Sequence, residues 1–238
     1  MRLTALEWDS AFFGLRLARV TGETLDAGSA AEVIAAGRAQ RLDGLVLLLS
    51  ASDATSIRVA EDAGFRLVDS RLTLERPAGL PPPPRPARVS TREHRPEDVP
   101  ALESIAAEAH RSTRFWRDGR FSPERAAELY RTWIRQECRG GATRVLVAEG
   151  DGSPAGYVSC HGDPEGGARI GLLGVRNDMR ERGVGAALLA AALAGFAENG
   201  SPAVGVVTQG HGIAAQRLYQ RAGFLAVRMD LWFHCWLT

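Results

Sequence analysis

The chain has 238 residues, 45% hydrophobic and 24% charged, a composition that supports a buried core and excludes a disordered chain. Its 29 basic residues, every one an arginine, stand against 28 acidic ones for a net charge of +1; this leaves no global field for nucleic acid or an anionic membrane, and excludes Schiff-base and Walker-lysine chemistry. Cys138, Cys160 and Cys235 are odd in number, far apart and outside any CxxC or Cys/His pattern, which suggests neither a metal site nor a disulfide framework and points to a reducing cytoplasm.

Residues 1–9 lack the apolar run and cleavage site of a signal peptide. Later apolar segments are broken by charge or glycine before the ~18 residues needed to span a bilayer, so no membrane insertion is expected. Residues 45–49 read as a buried strand, 54–63 as a helix and 67–74 as a second strand. Residues 77–88, with Pro81 to Pro84 and Pro86, cannot form a helix or inner strand and read as a polyproline linker. It divides an N-terminal segment, 1–76, from a larger one, 89–238.

In the larger segment, proline and acids at 96–98 open a helix that runs to about Ala109. An irregular arginine-rich stretch follows to Phe121. Ser122 and Pro123 then cap a helix over 123–138, with Leu129, Trp133 and Ile134 on its apolar face. Strands are expected at 143–149 and 154–161, joined by a Gly150-Asp151-Gly152-Ser153 turn, and at 168–175. A helix at 183–198, a strand at 203–208, a helix at 212–222 and a strand at 225–235 complete the chain. Ala63-Gly64-Phe65 matches Ala222-Gly223-Phe224, each closing a helix with glycine before a strand. The N-terminal segment thus reads as a half-copy of the larger unit that keeps its packing elements and lacks its glycine-rich loop.

That loop carries the chemistry. After the strand ending at Val175, Arg180-Glu181-Arg182-Gly183-Val184-Gly185-Ala186 opens a helix, and a helix N-terminus offers unpaired N–H groups and partial positive charge to a phosphate. Gly183 and Gly185 admit the phosphate without a Cβ in the way, and Arg180 and Arg182 add charge. The loop lacks the GK[ST] of a Walker loop and the first glycine of a dinucleotide fingerprint.

With the next unit included, the chain resembles the GNAT acyltransferases, whose loop reads Arg/Gln-x-x-Gly-x-Gly/Ala and whose next helix reads Asn-x-x-Ala-x-x-Leu-Tyr-x-x-x-Gly-Phe. Arg180, Gly183 and Gly185 match the first pattern; Ala215, Leu218, Tyr219, Gly223 and Phe224 match the second. The family's asparagine is Gly212 here, which puts one hydrogen bond near the cofactor in doubt. The resemblance implies an α/β fold with a mixed central sheet flanked by helices, preceded here by a partial half-domain. It implies acetyl-CoA as co-substrate, with pyrophosphate on Arg180, Arg182, Gly183, Val184, Gly185 and Ala186. Pantetheine would run beside Leu172, Leu173 and Val175 like an added strand, with Ala215 and Leu218 at the cofactor. Tyr219 takes the family's general-acid position, and a backbone N–H near Leu173 the oxyanion-stabilising one. No base for the attacking amine declares itself: His161 and His211 are both open, as is deprotonation through water.

More of the chain has a narrower resemblance. Residues 6–14, the half-copy, 112–115, 129–134 and 169–173 together look like the dTDP-fucosamine N-acetyltransferases, which implies N-acetylation of a dTDP-linked 4-amino-4,6-dideoxyhexose. Arg111, Arg114, Arg117 and Arg120 recur every third residue among Phe115, Trp116 and Phe121. Arginine forks suit a diphosphate and aromatic faces suit a sugar or base, so Arg114, Phe115, Arg120, His161 and His211 are the candidate acceptor contacts; a solvated arginine face is the other reading. A free small amine or aminoglycoside as acceptor, or a non-catalytic acyl-CoA sensor, are the competing functions. Trp8, Phe12 and Phe13 are expected to pack the junction between segments, and Trp232 and Trp236 to be either core or a homodimer surface.

Overall fold

The computed structural model describes residues 1–162, 167–201 and 203–237. The N-terminal segment forms β1 (Arg2–Ala5), α1 (Glu7–Phe13), β2 (Leu17–Thr21), α2 (Ala27–Ala39), β3 (Gly44–Ser50), α3 (Ala54–Asp62) and β4 (Arg66–Arg76). After the proline-rich segment come β5 (Thr91–Glu93), α4 (Val99–Ala109), the one-turn α5 (Arg114–Arg117) and α6 (Pro123–Gln136). Then follow β6 (Arg144–Gly150), β7 (Ser153–Gly162), β8 (Ala168–Val175), α7 (Val184–Glu198), β9 (Val204–Gln209), α8 (Ile213–Arg221) and β10 (Leu225–Trp236). The stretch expected to be irregular before Phe121 thus holds a turn of helix. It starts from Thr113, whose carbonyl accepts from the N–H groups of Trp116 and Arg117.

The strands join one sheet in the order β1-β2-β3-β10-β4-β9-β8-β7-β6-β5. Among the described residues only β2–β3 and β8–β9 pair in parallel. The two Ala-Gly-Phe junctions fold alike: Gly64 and Gly223 sit at φ +86° and +88°, where glycine carries no Cβ penalty, and Phe65 and Phe224 are driven into the core. Each unit's last strand crosses into the other, β10 lying between β3 and β4, and β4 between β10 and β9. Arg71 faces Asp230 in the register, and this pair, 159 residues apart, marks the local twofold. The neighbouring pairs Asp230↔Ser50 and Arg71↔Gln209 are related by the same step. The proline-rich segment therefore connects two parts of a continuous sheet.

Arg76 fastens that segment, donating to Ala222 O at 2.7 Å and Pro81 O at 2.7 Å. Side chains alternate along the strands. Leu173 and Val175 pack with the core under α7 and α8, and Leu172 with the opposite core under α4 and α6. Phe13 packs the junction, 4.6 Å from Phe121 and 5.2 Å from Phe115, ring to ring, whereas Trp8 stacks on Phe12 and stays 42% exposed. Trp236 donates to Asp118 at 3.0 Å, and Trp232 lies under Arg114, so both terminal-strand tryptophans, each half-buried, have contacts within the chain. No helix among the described residues is long and apolar enough to cross a membrane.

Candidate active site

The parallel ladder between β8 and β9 ends at Ile170↔Val206, although β8 continues to Val175 and β9 to Gln209. The strands part, and the 171–175 edge of β8 is left without ladder bonds on its β9 side, an edge of the kind that an extended ligand pairs with. Its other edge stays joined to β7 as far as Gly156↔Val175. A bulge between Val158↔Leu173 and Cys160↔Ile170 re-aims β8 here. It is held by the buried Ser159, whose Oγ accepts from the Leu172 N–H at 2.8 Å. Leu172 thus has its N–H already engaged, and its contribution to a ligand is limited to its carbonyl and side chain.

At the head of this opening, Glu181 adopts φ +61° and Gly183 φ +84°, which turns the chain sharply into α7. Gly183 is the N-cap and no side chain caps the helix, so the first N–H groups of α7 have no side-chain acceptor. Arg180 and Arg182 are exposed beside it, and among the described residues neither forms an ion pair. Gly185 serves packing: a Cβ there would stand 3.3 Å from Leu218 Cδ2, so glycine lets α8 approach α7. Ala215 and Leu218 pack against the same core. The left-handed glycine, open helix end, uncompensated arginines and unladdered strand edge together fit an extended thioester carrying a pyrophosphate.

Tyr219, on α8, is buried at 5% exposure, with its ring edge-on to Phe224 at 5.5 Å. Among the described residues no hydrogen-bond partner meets its hydroxyl, and burial pushes its pKa up, so it is protonated at neutral pH. The loop before α8 is tied by Gln216, which donates to Gly210 O at 2.6 Å and Gln209 O at 3.2 Å. Gln216 supplies the local hydrogen bonding that Gly212, lacking a side chain, cannot.

Both histidine candidates are engaged by protein groups. His161 lies with Nε2 2.8 Å from Glu137 Oε2 and Nδ1 3.2 Å from Arg169, and burial lowers its pKa. His211 has Nε2 3.0 Å from Ser112 O and Nδ1 3.4 Å from Asp69. It joins the β9–α8 loop to the loop before α5. Phe115 is corrected from a substrate platform to a core residue: at 3% exposure its ring is enclosed by Phe13, Phe121 and Trp133. The four arginines diverge instead of forming a common face. Arg111 lies over Trp116, Arg117 donates to Val68 O, and Arg120 lies over Trp236. Arg120 lines a cleft of about 470 Å³ with Asp118 and His234, apart from Arg114, which lies over Phe115 and Trp232.

A cluster absent from the sequence reading lies under β8. His110 ends α4 with Nε2 3.1 Å from Tyr157 Oη and its ring stacked on Tyr130 at 4.6 Å. Tyr157 fills the space beneath Gly174, where a Cβ would come 2.8 Å from its Cε1. Only the topology brings 110, 130, 157 and 174 together; no spacing in the chain announces it. Desolvation, aided by Arg180, lowers the His110 pKa from 6.5 to about 4. Between those values the unfolded chain binds more protons than the folded one, so stability falls as pH drops from 6.5 to 4. The loss is expected to reach about 3 kcal/mol. Urea unfolding at pH 7, 5.5 and 4.5 checks this, and His110→Gln should flatten the dependence.

Three comparisons bear on the family and the fold. The acetyltransferase (GNAT) family model matches residues 102–224. The spore coat polysaccharide biosynthesis protein SpsD of Bacillus subtilis (strain 168) is 28% identical over 142 residues, 59% of this chain and 48% of that protein. The mycothiol acetyltransferase of Clavibacter sepedonicus is 37% identical over 90 residues, 38% of this chain and 29% of that protein. The matches thus span half or less of these curated relatives. Among solved structures, a tandem GNAT protein from the clavulanic acid biosynthesis pathway superposes with a TM-score of 0.65 at 16% identity, covering 94% of this chain and 76% of that one, a likeness of fold.

Proposed function

Because the chain belongs to the acetyltransferase (GNAT) family, which uses acetyl-CoA as acetyl donor, we propose that it N-acetylates the amine of a nucleotide-linked amino sugar, with Tyr219 as the proton donor. The observation that carries the mechanism is Tyr219, a phenol kept protonated on α8 in the same core cluster against which Leu173 and Val175 of the free β8 edge pack. Acetyl-CoA, when bound, supplies an activated acetyl thioester. The N-terminus of α7 with Arg180 and Arg182 holds the pyrophosphate, and the free edge of β8 aligns the pantetheine. The Leu173 region directs backbone N–H groups toward developing negative charge. Tyr219 keeps a proton at Oη for the departing thiolate. Ser159 fixes the bulge, so the strand edge is preorganised before substrate arrives.

The acceptor class draws support from the SpsD relative, named for polysaccharide biosynthesis, and from the Arg114 guanidinium packed on the Trp232 indole. The test is release of CoA thiol from acetyl-CoA across a panel of dTDP-4-amino and dTDP-3-amino dideoxyhexoses, aminoglycosides, polyamines and short peptides. Turnover confined to a dTDP-amino sugar is the expected result. Turnover with aminoglycosides or peptides alone overturns the acceptor and keeps the reaction. Acetyl-CoA binding without turnover on any amine points instead to a sensor.

A further inference from the structure

Two guanidinium groups lie over the indole of Trp232. Arg114, from α5, is 4.6 Å from the ring centroid, and Arg19, from β2, is 5.5 Å from it. Trp232 itself is on β10, so three elements distant in sequence build the cluster. Among the described residues neither arginine has a carboxylate within ion-pair distance, and Arg19 Nε is buried without a hydrogen-bond partner. Desolvation brings the pKa of Arg114 down to about 10. Asp9 and Asp69 reach the Arg114 guanidinium only through space, and Asp69 is already engaged by the backbone N–H groups of Ser70 and Arg114 and by His211.

Two half-buried cations packed on one indole repel each other unless an anion joins them, and cation–π contact offsets only part of that cost. The cluster also lies at a useful place. Trp232 pairs with Asp69 in the sheet, Asp69 faces His211, and His211 holds Ser112 O two residues before Arg114. β10 is two strands from β9, and Trp232 lies two residues beyond the Asp230–Arg71–Gln209 row, which at ordinary strand geometry puts it about 12 Å from the end of β9. An acceptor with a sugar ring between amine and phosphate has this shape.

We infer that Arg19 and Arg114, packed on Trp232, bind the diphosphate of the acceptor nucleotide, so that the N-terminal half-copy completes the acceptor site. The inference rests on the nucleotide-sugar reading above and extends it from Arg114 to Arg19 and Trp232. Guanidinium forks match phosphate oxygens in bidentate fashion, which lysine does not.

Calorimetric titration of dTDP, inorganic pyrophosphate and thymidine into the full chain tests it. The wild type is expected to bind dTDP, with pyrophosphate competing and thymidine alone not binding. Arg19→Met and Arg114→Met should each weaken dTDP at least ten-fold and leave acetyl-CoA affinity unchanged. If either variant fails to fold, seen as lost acetyl-CoA binding, Arg19→Lys replaces it and should still lose several-fold, because charge remains without the fork. No dTDP binding by the wild type, binding unaltered by the substitutions, or no competition by pyrophosphate overturns the inference. Turnover of dTDP-amino sugars unaffected by Arg19→Met would sink this site and leave the proposed reaction standing. Arginine-dependent dTDP binding with turnover only on other amines would do the reverse.

Discussion

Tyr219→Phe is expected to lower turnover by about a hundred-fold or more, the range seen when a positioned proton donor is removed, with acetyl-CoA affinity essentially unchanged. The substitution deletes one oxygen. The ring keeps its place against Phe224 and the core under α7, where the tyrosine is buried at 5% exposure. Among the described residues no protein group bonds the hydroxyl, so its removal orphans no partner. What disappears is a proton held at Oη for a leaving thiolate. Because burial pushes the phenol pKa upward, the wild type should also show no basic limb near the ordinary tyrosine value of about 10. Steady-state rates with direct titration of acetyl-CoA decide the matter. Unchanged turnover assigns Tyr219 to packing alone, and lost cofactor binding assigns it to the shape of the pantetheine channel.

Most of the catalytic unit was legible because its signals are local. The 168–175 strand has the expected bounds, the helix at 184–198 starts one residue late, and the helix at 213–221 is one residue shorter at each end than expected. A glycine stop, a proline start or an Asp-Gly turn acts on its own neighbours, and Asp151 and Gly152 take the positive φ that such a hairpin needs. Residues 1–43 were less legible. The helix at 27–39 is rich in alanine and only weakly two-faced, and the capping box between Asp26 and Ser29 was its one clear marker. The half-copy was visible at its Gly-Phe junction, but the crossing of β4 and β10 was not, since strand exchange is set by packing between units and leaves no mark at either turn.

The acceptor side shows the same limit. Periodic arginines suggested a shared face, yet α5 lasts one turn, and Arg111, Arg114, Arg117 and Arg120 leave it in different directions. Phe115, chosen for its motif position, is spent on the aromatic core with Phe13 and Phe121. The residues that the structure brings to this side, Arg19, Asp69 and Trp232, lie on three strands that become neighbours only in the sheet.

Gly183→Trp is expected to abolish detectable acetyl-CoA binding, and Gly183→Ala separates the reasons. At φ +84° any L residue is strained, by about 1–2 kcal/mol. A Cβ at this position would meet Pro86 Cβ at 3.4 Å, an ordinary contact. Alanine therefore fits with strain alone: the variant should lose stability of that order and retain most of its acetyl-CoA affinity. Tryptophan adds a different problem. Pro86 closes one side, and the proline-rich segment carrying it is anchored upstream by Arg76 at Ala222, Leu80 and Pro81. The indole must therefore displace that segment or lie across the uncapped N-terminus of α7, where the pyrophosphate is proposed to sit. In the second case the fold survives and the site is filled. Thermal unfolding and calorimetry on both variants separate these cases: a folded Gly183→Trp protein that binds acetyl-CoA like the wild type would mean that the pyrophosphate does not reach this helix end, and the assignment of Arg180 and Arg182 would fall with it.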